Sequence, residues 1–207
     1  MTARRIAVVT AGTGRPSATR LLADRLAAAT TQALAEHGLT AEVEVVELRE
    51  HARALADNLV TGFPGGALRS AVATVTGADA LIAVTPVYAA SYSGLFKTFF
   101  DLLEEEALAG RPVLLAATAG TARHSLVLEH AMRPLFSHLH AVPVPTGVFA
   151  APEDWAGGDR SGPGLDRRIA RAAGQLADLL VGHRPQRAAD PFADPVPFSQ
   201  LLASPAD

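Results

Sequence analysis

Residues 5–20 read RIAVVTAGTGRPSATR and predict an apolar strand that leads through a short turn into a long helix. Ile6–Val9 form an unbroken apolar run, which is typical of a strand buried on both faces of a parallel sheet. Gly12 and Gly14 allow the chain to turn sharply after this strand. In α/β proteins, the start of a helix directly after a strand is a frequent place for anionic ligands to bind.

This turn also brings hydroxyl groups to the first residues of the helix. Ser17 and Thr19 stand there close to Arg15, and Thr13 lies between the two glycines. The unpaired N–H groups and partial positive charge of a helix N-terminus stabilise a terminal phosphate. A serine in this position can also act only as the N-cap of its own helix, so two interpretations remain open. The combination of glycines, hydroxyls and an arginine favours phosphate binding.

Apolar runs recur along the chain, with helical patterns between them. The pattern predicts strands at 6–10, 43–48, 80–85, 113–117 and 142–148, and helices at 17–37, 67–76, 94–103, 125–139 and 165–181. Such alternation predicts an α/β fold, a flavodoxin-like doubly wound five-stranded parallel sheet of order 2-1-3-4-5 with helices on both faces. Pro134 should bend or divide the fourth helix. Residues 1–181 are predicted to form one domain, followed by a proline-rich tail at 182–207.

The composition of the chain argues against several classes of function. A net charge of −3, without a run of Lys or Arg, predicts no nucleic-acid partner. No apolar stretch approaches the roughly 20 residues that span a bilayer, and the N-terminus lacks a signal-peptide pattern, so we expect no membrane association and a cytoplasmic location. The chain has no cysteine, which removes disulfides, thiolate metal sites and dithiol redox chemistry. Any redox activity therefore requires a bound cofactor.

Two further loops follow predicted strands and are unusual in composition. The segment TPVYAASYSGLFK at 85–97 contains both tyrosines of the chain, Tyr88 and Tyr92, among small residues that would let a planar ligand approach the backbone. The alternative is an ordinary strand–helix turn in which Tyr88 fills a surface gap. The segment ATAGTARHS at 117–125 offers backbone N–H groups to a ring ligand. Its Arg123 and His124 either bind the phosphates of a second nucleotide or form a solvated pair.

Taken together, these loops resemble those of the NADPH-dependent FMN reductase family of flavodoxin-like proteins, over residues 4–181. SATRLLADRLA resembles the family's phosphate loop, TPVYAASYSGLFKTFFDLL the segment that holds the isoalloxazine ring, and TAGTARHS the turn under the pyrimidine side. His138 and His140 resemble a metal-binding pair, but no obvious carboxylate accompanies them, so we expect no metal ligand. The resemblance implies no catalytic side chain. It implies that the cofactor-binding residues are Thr13, Arg15, Ser17, Thr19, Pro86, Val87, Tyr88, Ala89, Ala90, Ser91, Tyr92, Ala119, Gly120 and Thr121.

The same resemblance implies an NAD(P)H-dependent FMN reductase, which uses FMN and either NADPH or NADH. It also implies a homodimer or homotetramer, and a flavin-dependent monooxygenase that receives reduced FMN. Gly12, Gly14 and Ala89 stand where many members carry Ser, Arg and Asn side chains, so we expect FMN to be exchanged as a substrate. Two alternatives remain open: an FMN-containing quinone or azo reductase, and a non-enzymatic flavodoxin-like electron carrier.

Overall fold

The structure is a computed structural model that describes residues 3–155 and 164–182. The strands are β1 (Ala3–Thr10), β2 (Thr40–Glu47), β3 (Ala80–Tyr88), β4 (Ser91–Tyr92), β5 (Pro112–Thr118), β6 (Val142–Pro143) and β7 (Val148–Ala150). The helices are α1 (Ala18–Glu36), α2 (Ala52–Thr61), α3 (Gly66–Gly77), α4 (Gly94–Phe100), α5 (Arg133–His138), α6 (Pro152–Trp155) and α7 (Leu165–Gly182). Apart from Gly182, the predicted tail lies outside the described residues.

The sheet confirms the predicted topology. Its strand order is β2-β1-β3-β5-β6 with parallel pairing along this path. β7 also pairs in parallel with β5, and β4 pairs antiparallel with β3. Side chains along β1 alternate between two apolar clusters, with Ile6 and Val8 on the face covered by α1 and α7 and Ala7 and Val9 on the opposite face. Because the strands are parallel, the carboxyl ends of β1, β3, β5 and β7 meet at one edge of the sheet.

The prediction of one continuous fifth strand is wrong, because the structure divides this segment into β6 and β7. Pro143 and Pro145 lack the N–H group that a strand donates to its neighbour. Between the two short strands, the Thr146 N–H donates to the side chain of Gln175 on α7 instead, at 2.9 Å. Both pieces still pair with β5, so the division leaves the strand order unchanged.

Pro134 alters the fourth predicted helix as expected from its missing N–H group. A π-helical turn at Leu128–Met132 precedes α5, and the Arg133 N–H donates to the Leu128 carbonyl five residues earlier. Glu129 and Arg133 bridge this junction with a hydrogen-bonded ion pair, which lowers the pKa of the Glu129 carboxyl. The third predicted helix is also shorter than expected, since α4 ends at Phe100.

No helix in residues 3–155 or 164–182 combines the length and the apolar character that a membrane crossing requires.

Candidate functional site

The turn after β1, here called turn one (residues 11–17), folds tightly against the start of α1. A Cβ atom at Gly12 would lie 2.1 Å from the Ser17 Oγ and 2.9 Å from the Thr19 Cβ, so only glycine fits without a shift. The Ser17 Oγ accepts a hydrogen bond from the Arg20 N–H at 3.2 Å and is therefore the N-cap of α1. Its own O–H remains available as a donor, so capping and phosphate binding are compatible.

Turn one presents a group of open hydrogen-bond donors. Within the described ranges, no acceptor lies within hydrogen-bond distance of the amide N–H groups of residues 12–15. The buried Thr10 hydroxyl, at the carboxyl end of β1, also has no partner in this part of the chain. A partner for the buried Thr10 hydroxyl would remove a cost of about 1–3 kcal/mol, and the amides of the exposed residues 13–15 can donate to a ligand that takes the place of water.

Charged side chains of β2 and the residues after it lie beside turn one. Arg49 donates to the Gly14 carbonyl at 3.0 Å and pairs with Glu47 at 2.5 Å. Glu47 also pairs with Arg20, which binds Asp24 at 2.8 Å. The hydrogen bond to Asp24 is the main reason that the pKa of Arg20 is raised above its ordinary value. Two arginines are thus fixed next to the open amides, although the carboxylates partly compensate their charge.

A buried hydrogen bond joins turn one to the neighbouring strand. The hydroxyls of Thr19 and Thr118 lie 2.8 Å apart, at the start of α1 and the end of β5. A hydroxyl can donate one hydrogen bond and accept two, so Thr19 keeps capacity for a ligand. Thr118 is one of the two threonines of the segment 117–125, but it was not among the predicted cofactor-binding residues.

The loop after β3 forms a tight hairpin with β4. Ala89 and Ala90 at its tip have φ angles of 47° and 65°, the left-handed region that a two-residue type I′ turn requires. The Tyr88 hydroxyl lies 3.0 Å from the Thr13 Oγ1 and connects the hairpin to turn one. Ser91 and Tyr92 are placed differently, because they line a separate groove of about 610 Å³ beside α4 and α5.

The loop after β5, here called the β5 turn (residues 119–124), offers further backbone donors. The Ala119 N–H donates to the Ala150 carbonyl at 3.2 Å, whereas the N–H groups of Gly120 and Thr121 have no acceptor among the described residues. The Thr121 hydroxyl accepts from the Arg123 N–H at 3.4 Å and caps the short 3₁₀ turn Ala122–His124. These two N–H groups are therefore available to a ligand with acceptor atoms near Gly120.

A cleft of about 320 Å³ opens between these loops. Five of the predicted residues line it: Pro86, Val87, Tyr88, Ala119 and Gly120. Five further residues line it. Ala18 and Thr118 belong to segments that the sequence assigned to the site, whereas Ala150, Pro152 and Trp155 were not suggested by the sequence. Pro152 and Trp155 follow β7, whose carboxyl end reaches the same edge of the sheet as β5. The predicted parallel fifth strand could therefore have indicated that the residues after it form one wall of the cleft.

Comparison with known proteins identifies the family. Residues 4–156 match the family described as NADPH-dependent FMN reductase. The chain belongs to this family. An NADH-dependent FMN reductase from Pseudomonas putida, SfnE, is 41% identical over 182 residues, or 88% of this chain and 95% of that protein. An FMN reductase (NADPH) from Pseudomonas aeruginosa is 39% identical over 178 residues, or 86% of this chain and 93% of that protein.

A solved structure of a similar protein has the same fold. An oxidoreductase from Corynebacterium diphtheriae is 45% identical to this chain and superimposes with a TM-score of 0.82. The match covers 88% of this chain and 99% of the other.

The residues present fit the flavin mononucleotide that the family name implies. The open amides of turn one and the unpartnered Thr10 hydroxyl suit a phosphate group with several acceptor oxygens. The small residues of the hairpin tip and the free N–H groups of Gly120 and Thr121 suit a planar ring with acceptor atoms along one side.

Proposed function

We propose that this chain is an NAD(P)H-dependent FMN reductase that binds FMN across the carboxyl ends of β1, β3 and β5. The observation that carries the proposal is the cleft between Tyr88 and Gly120, which opens next to the unpaired amides of turn one. Membership of the FMN reductase family supports the same activity. The two relatives described above use different nicotinamides by name, so both NADH and NADPH belong in the assay.

Turn one binds the phosphate in this proposal. The N–H groups of residues 12–15 donate to its oxygens, and the hydroxyls of Ser17 and Thr19 add two donors at the positive end of α1. Arg15 is exposed, and no ion pair within the described residues occupies it, so its guanidinium can approach the phosphate from solvent.

The hairpin and the β5 turn hold the ring. Pro86, Val87 and Tyr88 present apolar and aromatic surface, and the N–H groups of Gly120 and Thr121 donate to the pyrimidine side. When bound, FMN supplies the acceptor for a hydride from the nicotinamide. Amide donors that are already oriented stabilise the negative charge that develops on the ring during this transfer, without a general acid or base.

FMN acts as an exchanged substrate in this proposal. Gly12, Gly14 and Ala89 contribute no side-chain contacts to the flavin, which favours release of the reduced form to a flavin-dependent monooxygenase. A homodimer or homotetramer is the expected assembly. The quinone or azo reductase and the electron carrier differ from this proposal in how tightly flavin stays bound and in whether NAD(P)H is oxidised.

The activity is tested by following NADH and NADPH oxidation with and without added FMN. We expect a colourless protein after dialysis and oxidation that depends on added FMN. A protein that stays yellow would support the quinone or azo reductase instead. Absence of FMN-dependent oxidation with either nicotinamide would contradict the proposal.

The phosphate assignment is tested with the double variant Ser17→Ala/Thr19→Ala. We expect FMN binding to weaken by about 2–4 kcal/mol, from roughly 1–2 kcal/mol for each charge-assisted hydrogen bond. Riboflavin, which lacks the phosphate, provides the control, because general damage to α1 would weaken both ligands equally. Equal losses for FMN and riboflavin in equilibrium titrations would argue against the assignment.

A further inference from the structure

Trp155 is the single tryptophan of the chain, and it lines the cleft. It ends α6, the short helix after β7, and its side chain is only half-buried. One side of the indole packs against the apolar cluster that α1 and α7 cover. A large aromatic side chain that is partly covered by the core and partly open to a cleft is suited to contact a ligand.

Neighbouring charges fix the indole in this position. The Arg25 guanidinium of α1 lies 5.7 Å from the centre of the Trp155 ring and also pairs with Asp166 of α7. A cation over the ring restrains its orientation from the side of the helices.

A second set of contacts fixes the backbone that carries Trp155. The preceding Asp154 accepts a hydrogen bond from the Ala151 N–H at 2.8 Å and pairs with Arg168 of α7. Arg168 in turn donates to the Phe149 carbonyl of β7 at 2.5 Å. A side chain that is already ordered loses little conformational entropy when a ligand binds.

We propose that Trp155 contacts bound FMN and forms an aromatic wall of its site. The inference rests on the proposed function only in so far as FMN is the ligand of the cleft. Flavin is a large, electron-poor planar ring system, and indole offers it an extended electron-rich surface. The contact acts on binding, so its loss raises the Kd and the KM for FMN, whereas kcat at saturating FMN changes little.

Arg25 is a positioning residue in this arrangement. Arg25→Gln removes the cation over the indole ring and the ion pair between Arg25 and Asp166 of α7. We expect lower anisotropy of the indole emission, which comes from Trp155 alone, and FMN affinity reduced less than by loss of the indole itself. Unchanged anisotropy would show that Arg25 does not hold the ring.

The decisive experiment compares Trp155→Leu and Trp155→Phe with the wild-type protein. We expect Trp155→Leu to weaken FMN binding about tenfold in equilibrium dialysis, the scale of one lost aromatic stacking contact, and Trp155→Phe to retain most of the affinity. Electron transfer from indole or phenol quenches flavin emission only at close contact, so emission is compared in a Tyr88→Phe background, which removes the other electron donor of the cleft. In this background, emission of protein-bound FMN should rise in both variants. Phe63→Leu is the matched control, because Phe63 is 81% exposed and lies outside the cleft.

The outcomes separate this inference from the proposed function. Wild-type affinity in Trp155→Leu, or unchanged bound-flavin emission in Trp155→Phe, would overturn the contact. The second variant decides the question if the first does not fold by circular dichroism. A protein that binds FMN through Trp155 but oxidises neither NADH nor NADPH would refute the reductase and leave the contact standing. A wild-type protein that does not bind FMN would overturn both.

Discussion

At the scale of single residues, Gly12 is the position of the site with the least space for a side chain. Its backbone is not in the left-handed region, so its requirement comes from space alone. The Ser17 hydroxyl and the Thr19 side chain occupy the volume that a Cβ would need. Because it lacks a Cβ, Gly12 lets turn one close on the start of α1.

Gly12→Ala should therefore affect both stability and binding. We expect the free energy of unfolding in urea to fall by about 1–3 kcal/mol, as for other overpacked positions. FMN affinity should fall as well, because the Ser17 hydroxyl must move. Gly65→Ala is the control, since a Cβ there meets nothing within 4 Å. A Gly12→Ala protein that matches the control in both measurements would rule out the crowding argument.

At the scale of elements, α7 shows a clear division of its surface. Its buried residues follow helical spacing along one side and pack against α1 and the sheet: Leu165, Ile169, Ala172, Ala173, Leu176, Ala177 and Leu180. Gly174 lies in the middle of the continuous helix, where a Cβ would meet no atom within 4 Å. Glycine there costs backbone entropy and provides no close packing in return.

Gly174→Ala should stabilise the protein by about 0.5–1 kcal/mol, the difference in helix propensity between the two residues. Gly38→Ala, just after α1, is a matched comparison with equal space but a φ of +72°. Its change in the free energy of unfolding should have the opposite sign, because Gly38→Ala should destabilise the protein by roughly 1 kcal/mol. Urea unfolding of the two variants measures both values, and the same sign for both would contradict the backbone argument.

The elements that the sequence predicted best are those with strong local signals. β1 follows from its continuous apolar run, and the start of α1 from the Ser17 cap. The β3–β4 hairpin had no such signal, because Ala89 and Ala90 are not the Asn-Gly type of pair that marks a type I′ turn. Pro143 and Pro145 were visible in the sequence, and they already argued against one continuous fifth strand.

The candidate site was predictable where its residues are close in sequence to a strand end. Thr13, Tyr88 and Gly120 were predicted in this way. Tyr88 and Gly120 line one cleft, and Thr13 is connected to it through the Tyr88 hydroxyl. Trp155 is brought there only by the path of the chain through β7 and its pairing with β5. Ser91 shows the reverse case, because the hairpin turns it towards the groove beside α4, whereas Pro86, Val87 and Tyr88 of the same loop line the cleft.

At the scale of the whole molecule, the groove beside α4 and α5 leaves part of the surface incompletely packed. Tyr92 contributes an aromatic ring there, 5.9 Å from the ring of Phe96. The half-buried Leu135 adds apolar surface, and Lys97, Asp101 and His138 add polar and charged groups at the same groove. A surface of this kind is suited to association with another chain.

We accordingly expect a homodimer or homotetramer in solution. Light scattering coupled to size-exclusion chromatography should give a mass twice or four times the 21.5 kDa of one chain. Measurement over a range of protein concentrations provides the control for weak association. A mass of one chain at all concentrations would contradict the expectation.

The division of the last strand has a consequence for behaviour at high concentration. A long, flat strand at the border of a sheet can template the addition of strands from other molecules, which is how cross-β fibrils grow. On one border, the short β6 and β7 and their prolines interrupt any such template. On the other border, β2 exposes Glu42 and Glu44, whose like charges repel an identical strand. Both borders of the described sheet are thereby protected against aggregation.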